Sequence, residues 1–252
     1  MTGISSLALV GAVGGAGTTR TAVECAAALA RDGRDVAVLD AAYATQGLSE
    51  YVAGRIDPDL TELCLDPDRP LADGVTDLDA GTDGRVAVAP ARAPFERVAR
   101  AKAAEPARAL EARVEEAAAS FDHVVVDTPP VAANQAVAAV HAVDRVALVR
   151  PPTAHGRDAA RRQRDVLRDA DAPDAAPTVV AVGGDDGDAD AAVPDGPAAV
   201  AAAPACLGDD GFAAGVVGAS ETLFGVDLGV EFEAGGVVDR VVAGVDRVRN
   251  GG

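Results

Sequence analysis

The sequence predicts an α/β fold in which a mainly parallel, twisted sheet is covered by helices on both faces. Apolar runs of strand length alternate with helix-length stretches along the chain, which is the pattern of sheets built from β-α-β units. Hydrophobic residues make up 49% of the chain but aromatic residues only 3%, so the core has to be built from Ala, Val and Leu. With 252 residues and no linker-like break in composition, we expect a single domain over residues 1–252.

The predicted elements begin with a strand at 7–12, a glycine-rich loop, and a helix from about Thr19 to Arg31 that ends at Gly33. A second strand at 35–40 completes a β-α-β unit with the appearance of a phosphate-binding site. The later predicted strands are 85–90, 121–130, 143–152, 177–184 and 198–205, and the later predicted helices are 60–65, 106–120 and 155–168.

Two further segments have distinctive compositions. Residues 185–197 are acidic and of low complexity, without core residues, which predicts an exposed, mobile loop. Residues 236–249 place valines on one face of a predicted amphipathic helix. Because Asp239 and Asp246 interrupt its arginines and no bulky apolar residue is present, we expect this helix to pack on the protein and do not expect membrane binding.

The charge of the chain is strongly negative. Forty acidic residues face 22 basic ones, for a net charge of -18, and Lys102 is the only lysine. An acidic surface nearly free of lysine predicts a halophilic protein, whose self-repulsion is screened by concentrated salt; the alternative is an acidic surface for a basic partner. Without a basic patch, direct binding to nucleic acid is not expected.

Cysteine, histidine and the N-terminus give weaker expectations about location. The three cysteines have no CxxC spacing, and the three histidines form no ligand pattern, so we expect a reduced cytoplasm without structural disulfides or zinc. The first residues lack a basic segment, and no apolar run reaches 18 residues. We therefore expect neither a signal peptide nor a membrane span.

The first chemical motif is the glycine-rich segment 10–21, VGAVGGAGTTRT. Glycines let successive backbone N–H groups converge on an anion at a helix N-terminus, and a hydroxyl at position 19 would hold Mg²⁺. The same segment also reads as the G-x-x-x-G-x-G of a dinucleotide-binding protein, with Asp40 available for ribose hydroxyls. The candidate nucleotide-binding residues are Gly14, Gly15, Ala16, Gly17, Thr18 and Thr19.

The second motif, VVVDTPP at 124–130, favours a nucleoside triphosphate. It is an apolar strand that ends in Asp127, where a Walker B carboxylate can order the water shell of Mg²⁺ beside the phosphate loop. Alternatively, Asp127 caps the next helix.

These motifs together resemble the MinD/ParA family of deviant Walker A ATPases, from the first strand to about Arg168. The family pattern KGGxGKTT maps onto residues 13–20, the segment 39–52 resembles the family's switch with an acid at Asp40, and 142–162 resembles the strand and helix that follow. The resemblance implies a P-loop NTPase fold, ATP or ADP with Mg²⁺ as cofactors, and Asp40 and Asp127 as catalytic residues, with Thr19 and Asp127 at the metal. It also implies a homodimer and an unidentified protein partner.

The chain departs from this family at its charged positions. The phosphate-contacting lysine is Thr18 and the signature lysine is Val13, while Ala42 replaces the second acid of the switch. Gly183 and Gly184 occupy the region where the family often has an asparagine for adenine. Because charge-assisted hydrogen bonds contribute about 1.5–3 kcal/mol each, we expect weakened triphosphate binding.

Two arginines are candidates to replace the lost lysines. Arg20 follows Thr19 on the first helix and is expected to point away from the phosphates, whereas Arg92 follows a strand at the carboxyl edge of the sheet, where α/β folds bind ligands.

Three functions remain open on the sequence. The first is a slow ATPase or ATP-dependent switch acting on a protein partner. The second is a pseudo-ATPase retained as an interaction scaffold. The third is an NAD(P)-binding Rossmann oxidoreductase. The absence of a Tyr-x-x-x-Lys pair argues against it, because the residue four positions after Tyr51 is Arg55 and the residue four positions after Tyr43 is Gly47.

Overall fold

The computed structural model describes residues 4–173, 176–197 and 199–232. The strands are β1 (Ser6–Gly11), β2 (Val36–Asp40), β3 (Thr76–Leu78), β4 (Val86–Ala89), β5 (His123–Thr128), β6 (Arg145–Arg150), β7 (Thr178–Val182) and β8 (Ala191–Val193). The α-helices are α1 (Thr18–Arg31), α2 (Leu60–Leu65), α3 (Phe95–Ala101), α4 (Ala104–Ala118), α5 (Asn134–His141), α6 (Ala154–Asp169) and α7 (Gly211–Phe224). Three short 3₁₀ helices cover Gly47–Tyr51, Leu71–Gly74 and Val200–Ala202.

The strands form one sheet in the order β3-β4-β2-β5-β1-β6-β7-β8. All neighbours are parallel except β3, which runs antiparallel to β4 at one edge. The predicted α/β fold with a mainly parallel sheet is therefore confirmed. A parallel sheet aligns the carboxyl ends of its strands, so the loops after β1, β2 and β5 meet at one edge.

The core has two layers, one on each face of the sheet. Along β1, Leu7 and Leu9 point to the layer under α1 and α7, whereas Ala8 and Val10 point to the layer under α2–α6. The central strands are therefore buried on both faces, which explains their continuous apolar runs. The alanine-rich α1 is buried from Thr21 to Ala30, because its small side chains let it lie close against the strands.

The acidic segment 185–197 corrects one sequence expectation. Ala191–Val193 pairs with β7 as the eighth strand, and Val193 is 3% exposed in the core. The prediction of a loop without core residues is therefore wrong for this part, because one valine after two alanines is enough to extend a sheet edge. The strand predicted at 198–205 is also wrong, since Val200–Ala202 is a 3₁₀ helix.

The sequence did not predict several other elements. The edge strand β3 and the helices α3, α5 and α7 were not predicted, because each is short or alanine- and glycine-rich with weak periodicity. The amphipathic helix predicted at 236–249 lies outside the described residues. No helix within the described ranges is long and apolar enough to cross a membrane.

Candidate functional site

The glycine-rich loop connects the end of β1 to the start of α1 at the carboxyl edge of the sheet. Gly15 and Gly17 have φ angles of 73° and 84°, a left-handed conformation that side chains other than glycine rarely adopt. A Cβ on Gly15 would meet nothing within 4 Å, so the backbone conformation and not packing requires glycine there. The loop thereby wraps the N-terminus of α1, where free N–H groups and the helix dipole favour an anion.

A cavity of about 390 Å³ lies against this loop. Its walls come from four segments: the loop with the ends of β1 and α1 beside it, the chain after β2, the end of β5 with the chain after it, and the 3₁₀ helix at Val200. The cavity is lined by Gly11, Val13, Gly14, Gly15, Ala16, Gly17, Thr18, Thr19, Arg20, Ala42, Thr45, Gly47, Glu50, Tyr51, Asp127, Thr128, Pro129, Pro130 and Val200. All six predicted nucleotide-binding residues are therefore at one cavity, together with Asp127.

The two predicted carboxylates lie side by side at the end of the sheet. Asp40 and Asp127 are register partners on β2 and β5, and are 0% and 1% exposed. Thr19 donates its hydroxyl proton to Asp127 Oδ2 over 2.6 Å. Asp127 also borders the cavity, while Asp40 lies behind it and accepts the backbone N–H of Ala42 over 2.8 Å.

Burial makes both carboxyl groups weak acids. Desolvation, followed by repulsion from Asp127, raises the pKa of Asp40 from 3.8 to about 8. Desolvation also raises the pKa of Asp127, to about 6, against the lowering effect of the Thr19 hydrogen bond. Among the described residues, neither carboxylate forms an ion pair with an arginine, lysine or histidine. Two buried acids without a cation are costly in the folded protein.

A divalent cation fits this arrangement. The oxygens of Thr19 and Asp127 at the cavity wall are of the kind that Mg²⁺ prefers, and a positive charge would offset the repulsion between the buried acids. Within the ranges that the structure describes, no group of three or more His, Cys, Asp or Glu could hold a metal by itself. The protein thus offers a partial ligand set, as expected where phosphate oxygens and water complete the coordination of Mg²⁺.

Among the described residues, the cavity lining contains one cation, Arg20, and two of its three side-chain nitrogens are already bound within the protein. Thr18 and Val13 line the cavity as neutral side chains, and Val13 also packs against both core layers. Arg20 reaches the lining, but its Nε binds Glu24 over 2.6 Å and its Nη1 donates to the carbonyl of Ala199 over 3.0 Å. Arg92 is exposed and is not part of the lining, so the idea that it replaces a lysine receives no support.

A second cavity of about 480 Å³ continues on the other side of the loop. It shares Gly15, Gly17 and Tyr51 with the first cavity and extends to the ends of β7 and β8. Apolar groups line this extension, including Val182 and the ring of Phe212. The two cavities thus flank the glycine loop, with one on each side of it, and together offer room for phosphates and a nucleoside.

Several residues at this edge were missed by the sequence analysis. Glu24 is 1% exposed on α1 and accepts the backbone N–H groups of Ala205 and Cys206 over 2.8–2.9 Å. A single acid in an otherwise apolar helix was the signal that could have revealed this anchor. Glu50 and Tyr51 line the first cavity from the 3₁₀ helix after β2; they lie in the segment 39–52 that resembles the switch, but neither was named there as a site residue.

Several solved structures share the fold of this chain. A chain of the MinC:MinD cell division complex from Aquifex aeolicus matches with a TM-score of 0.72 and 18% identity over 90% of this chain and 98% of that one. MinD from Pyrococcus horikoshii, complexed with Mg-ADP, matches with a TM-score of 0.71 and 17% identity over 86% and 94%. The chain has the MinD fold. No protein-family model and no curated protein matches it.

The MinD fold also decides against the dinucleotide reading of the glycine loop. In the usual dinucleotide-binding order the first two strands are neighbours, whereas here β5 lies between β1 and β2. Asp40 is fully buried and is not part of the cavity lining, so it is not placed to meet ribose hydroxyls. The strand order therefore contradicts a Rossmann oxidoreductase.

Proposed function

We propose that this chain binds Mg·ATP and Mg·ADP at the glycine loop and acts as a nucleotide-dependent switch on a protein partner, in positioning, partitioning or a related regulatory role. One observation carries the proposal: the loop amides, the Thr19 hydroxyl and Asp127 converge on one cavity at the carboxyl edge of the sheet. Fold neighbours complexed with Mg-ADP, or with an ATP analogue and magnesium, support the choice of ligand.

Each of the chain's own groups has a proposed role. The amides of the loop from Gly14 to Thr18 bind phosphate oxygens, and Thr19 and Asp127 hold Mg²⁺, which when bound offsets phosphate charge. Asp127 also keeps the Thr19 hydroxyl in place. Asp40 acts as the acid of the switch segment: it is the register partner of Asp127 and accepts the backbone N–H of Ala42 at the start of that segment. Asp40 and Asp127 are thus the proposed catalytic carboxylates.

Hydrolysis is proposed to be slow or absent. Cations that stabilise a transferring phosphoryl group can contribute about 10³–10⁵ in rate, and within the described chain the lining cation Arg20 is already bound to Glu24. Loss of two charge-assisted contacts of about 1.5–3 kcal/mol each also weakens binding by orders of magnitude. A neutral loop, in which Val13 is partly buried against both core layers, favours the second candidate, a pseudo-ATPase scaffold without nucleotide turnover.

Calorimetric titration distinguishes these two candidates. Mg·ATP and Mg·ADP are titrated into the protein in molar KCl, with NADH as a control, and phosphate release is measured in parallel. Saturable binding of both adenine nucleotides, with no binding of NADH, is the expected result. Absence of ATP binding up to millimolar concentration would contradict the nucleotide switch and favour the pseudo-ATPase scaffold.

We also propose that the chain is halophilic and forms a homodimer when nucleotide is bound. The net charge of -18 supports the first proposal, because self-repulsion of this size needs concentrated salt to be screened. Unfolding at low salt with recovery in molar KCl is expected; indifference of the melting temperature to salt would contradict it. Light scattering with and without Mg·ATP tests the dimer.

A further inference from the structure

The segment 92–102, which we call the α3 segment, carries an unusual side chain. Phe95, the first residue of α3, is 88% exposed and is the one large hydrophobic side chain exposed in the part of the chain that the structure describes. Arg100 on the same helix is also exposed, about 140° around the helix axis from Phe95, while Val98 and Ala101 are buried. A single exposed phenylalanine is common on protein surfaces, so its meaning depends on its surroundings.

The α3 segment is also basic in a strongly acidic protein. Four bases (Arg92, Arg97, Arg100, Lys102) face one acid (Glu96), which gives the segment a charge of +3 in a chain of -18. Arg97 is bound to Glu62 over 3.0 Å. The side chains of Arg92, Arg100 and Lys102 have no ion pair or hydrogen bond among the described residues.

Three consecutive backbone N–H groups hold the start of this segment, and those of Ala91 and Ala93 bond to residues of the chain at and after the end of β2. Ala91 N–H donates to Asp40 over 3.3 Å, and Arg92 N–H donates to Asp59 over 2.6 Å. Ala93 is held twice by the amide of Gln46, which accepts from its N–H over 3.1 Å and donates to its carbonyl over 2.8 Å.

Gln46 therefore joins the chain after β2 to the chain after β4 through one side chain. Its backbone has a φ of 54°, a left-handed conformation that is uncommon outside glycine. Its neighbours Thr45 and Gly47 line the first cavity. A displacement of the chain after β2 on ligand binding would be transmitted to Ala93, and from there to Phe95 two residues later.

We propose that the α3 segment is a docking surface for an acidic protein segment that seats an apolar side chain against Phe95, and that Gln46 couples this surface to the nucleotide site. The coupling rests on the proposed function, whereas the docking surface does not. Charge favours a separate partner over a second copy of this chain: an acidic segment complements Arg92, Arg100 and Lys102, while two copies would each bring a net charge of -18.

The first experiment tests the coupling. The chain contains no tryptophan, so Phe95→Trp introduces a single fluorescent reporter at an exposed position. Addition of Mg·ADP in molar KCl is expected to shift its emission, while calorimetry on the same sample measures binding. Gln46→Ala in the reporter protein is expected to abolish the shift and to leave Mg·ADP affinity within about twofold, because Gln46 is not part of the cavity lining.

The outcomes separate the two proposals. Absence of Mg·ADP binding contradicts the proposed function. Binding without an emission shift, or a shift that persists in Gln46→Ala, overturns the coupling while the proposed function stands.

The second experiment tests the partner chemistry. A synthetic amphipathic peptide with Glu and Leu at helical spacing is titrated into the Phe95→Trp protein at the lowest salt that preserves the fold. Matched peptides carry Lys in place of Glu, or Ser in place of Leu. We expect binding of the first peptide alone, and a loss of about tenfold in affinity for Arg100→Glu. Arg168→Glu on α6 is the control, because Arg168 is also exposed and lies on another helix.

Equal binding of the lysine peptide, or equal loss for Arg168→Glu, would overturn the docking surface. Self-association of the wild-type protein that Phe95→Ser abolishes would assign the surface to a second copy instead. Binding of the protein to anionic lipid vesicles through Phe95 would assign it to a membrane. Phe95→Ser is expected to fold, because the side chain it removes is exposed.

Discussion

Two clusters of charged residues lie at the same edge of the sheet and differ in how their charge is compensated. At the end of β6, Arg150 binds Asp186 through two hydrogen bonds of 2.6 and 2.9 Å, and Arg157 adds a third of 2.8 Å. At the ends of β2 and β5, Asp40 and Asp127 share no cation among the described residues.

The difference appears in the acidity of the carboxyl groups. Hydrogen bonds from Arg150 hold the pKa of Asp186 well below its usual range, whereas burial raises the pKa of both Asp40 and Asp127. A compensated carboxylate stabilises the fold. An uncompensated pair destabilises it unless a proton or an external cation is bound, which is the property expected of a ligand site.

The largest expected effect is on the compensated cluster. Arg150→Ala would leave Asp186 without its main partner and create a void where a buried side chain now lies. We expect the melting temperature to fall by roughly 10 °C in molar KCl. Arg161→Ala, which breaks an exposed ion pair with Asp158, is the control. It should change the melting temperature by less than about 2 °C. Equal effects of the two variants would contradict the structural role of the Arg150 pair.

The next effect concerns the missing lysine. Thr18→Lys restores a cation at a lining position of the cavity, and one charge-assisted hydrogen bond of about 1.5–3 kcal/mol corresponds to a gain of about 10- to 100-fold in Mg·ATP affinity. Thr18→Met has a similar length without the charge and should give no gain. Calorimetric titration of both variants checks this, and equal affinities would show that the loop does not bind phosphates.

A smaller effect is expected on pH dependence. The pKa values of Asp40 and Asp127 are raised in the folded protein. The folded protein therefore binds more protons than the unfolded chain between about pH 4 and 8. The contribution of the pair to stability thus decreases as pH rises through about 6 and 8. Asp127→Asn removes the repulsion on Asp40 and should raise the melting temperature at pH 8 by about 2–4 °C. Melting curves from pH 5 to 8 measure this. If the melting temperature fell with rising pH equally steeply in Asp127→Asn and wild type, the repulsion between the two acids would be contradicted. Asp158→Asn removes an exposed acid and is the control.

The smallest effect is expected for Arg92. Its side chain is exposed and absent from the cavity lining, so Arg92→Ala should leave Mg·ATP affinity within about twofold. A tenfold loss would instead make Arg92 the replacement for the missing lysine.

The sequence predicted the parts of this molecule that rest on strong local patterns. The apolar runs located β1, β2, β4, β5, β6 and β7, and the spacing of glycines with an aspartate at the end of an apolar strand located the loop and Asp127. It could not locate β8, because one buried valine in an acidic segment gives no periodicity. It also could not reveal the Arg150–Asp186 pair or the contact of Gln46 with Ala93, which join segments 36 and 47 residues apart.

The roles of individual site residues depend on long-range contacts that a sequence does not display. Arg20 was expected to point away from the phosphates; in the structure it reaches the cavity lining, where Glu24 and the carbonyl of Ala199 bind two of its nitrogens. Arg92 follows β4 as predicted, yet its side chain does not reach the cavity, because its backbone N–H is held by Asp59. Position at the correct edge of a sheet is therefore necessary but not sufficient for a role in binding.

The most direct test of this account is the Mg²⁺ dependence of ADP affinity in wild type and Asp127→Asn, measured by calorimetry in molar KCl with Mg²⁺ or with excess EDTA. The account predicts that Mg²⁺ strengthens ADP binding to the wild type by about tenfold or more and has little effect on Asp127→Asn. Equal enhancement by Mg²⁺ in the two proteins, or no enhancement in either, would contradict the assignment of Asp127 and Thr19 as the metal-binding residues of a nucleotide site.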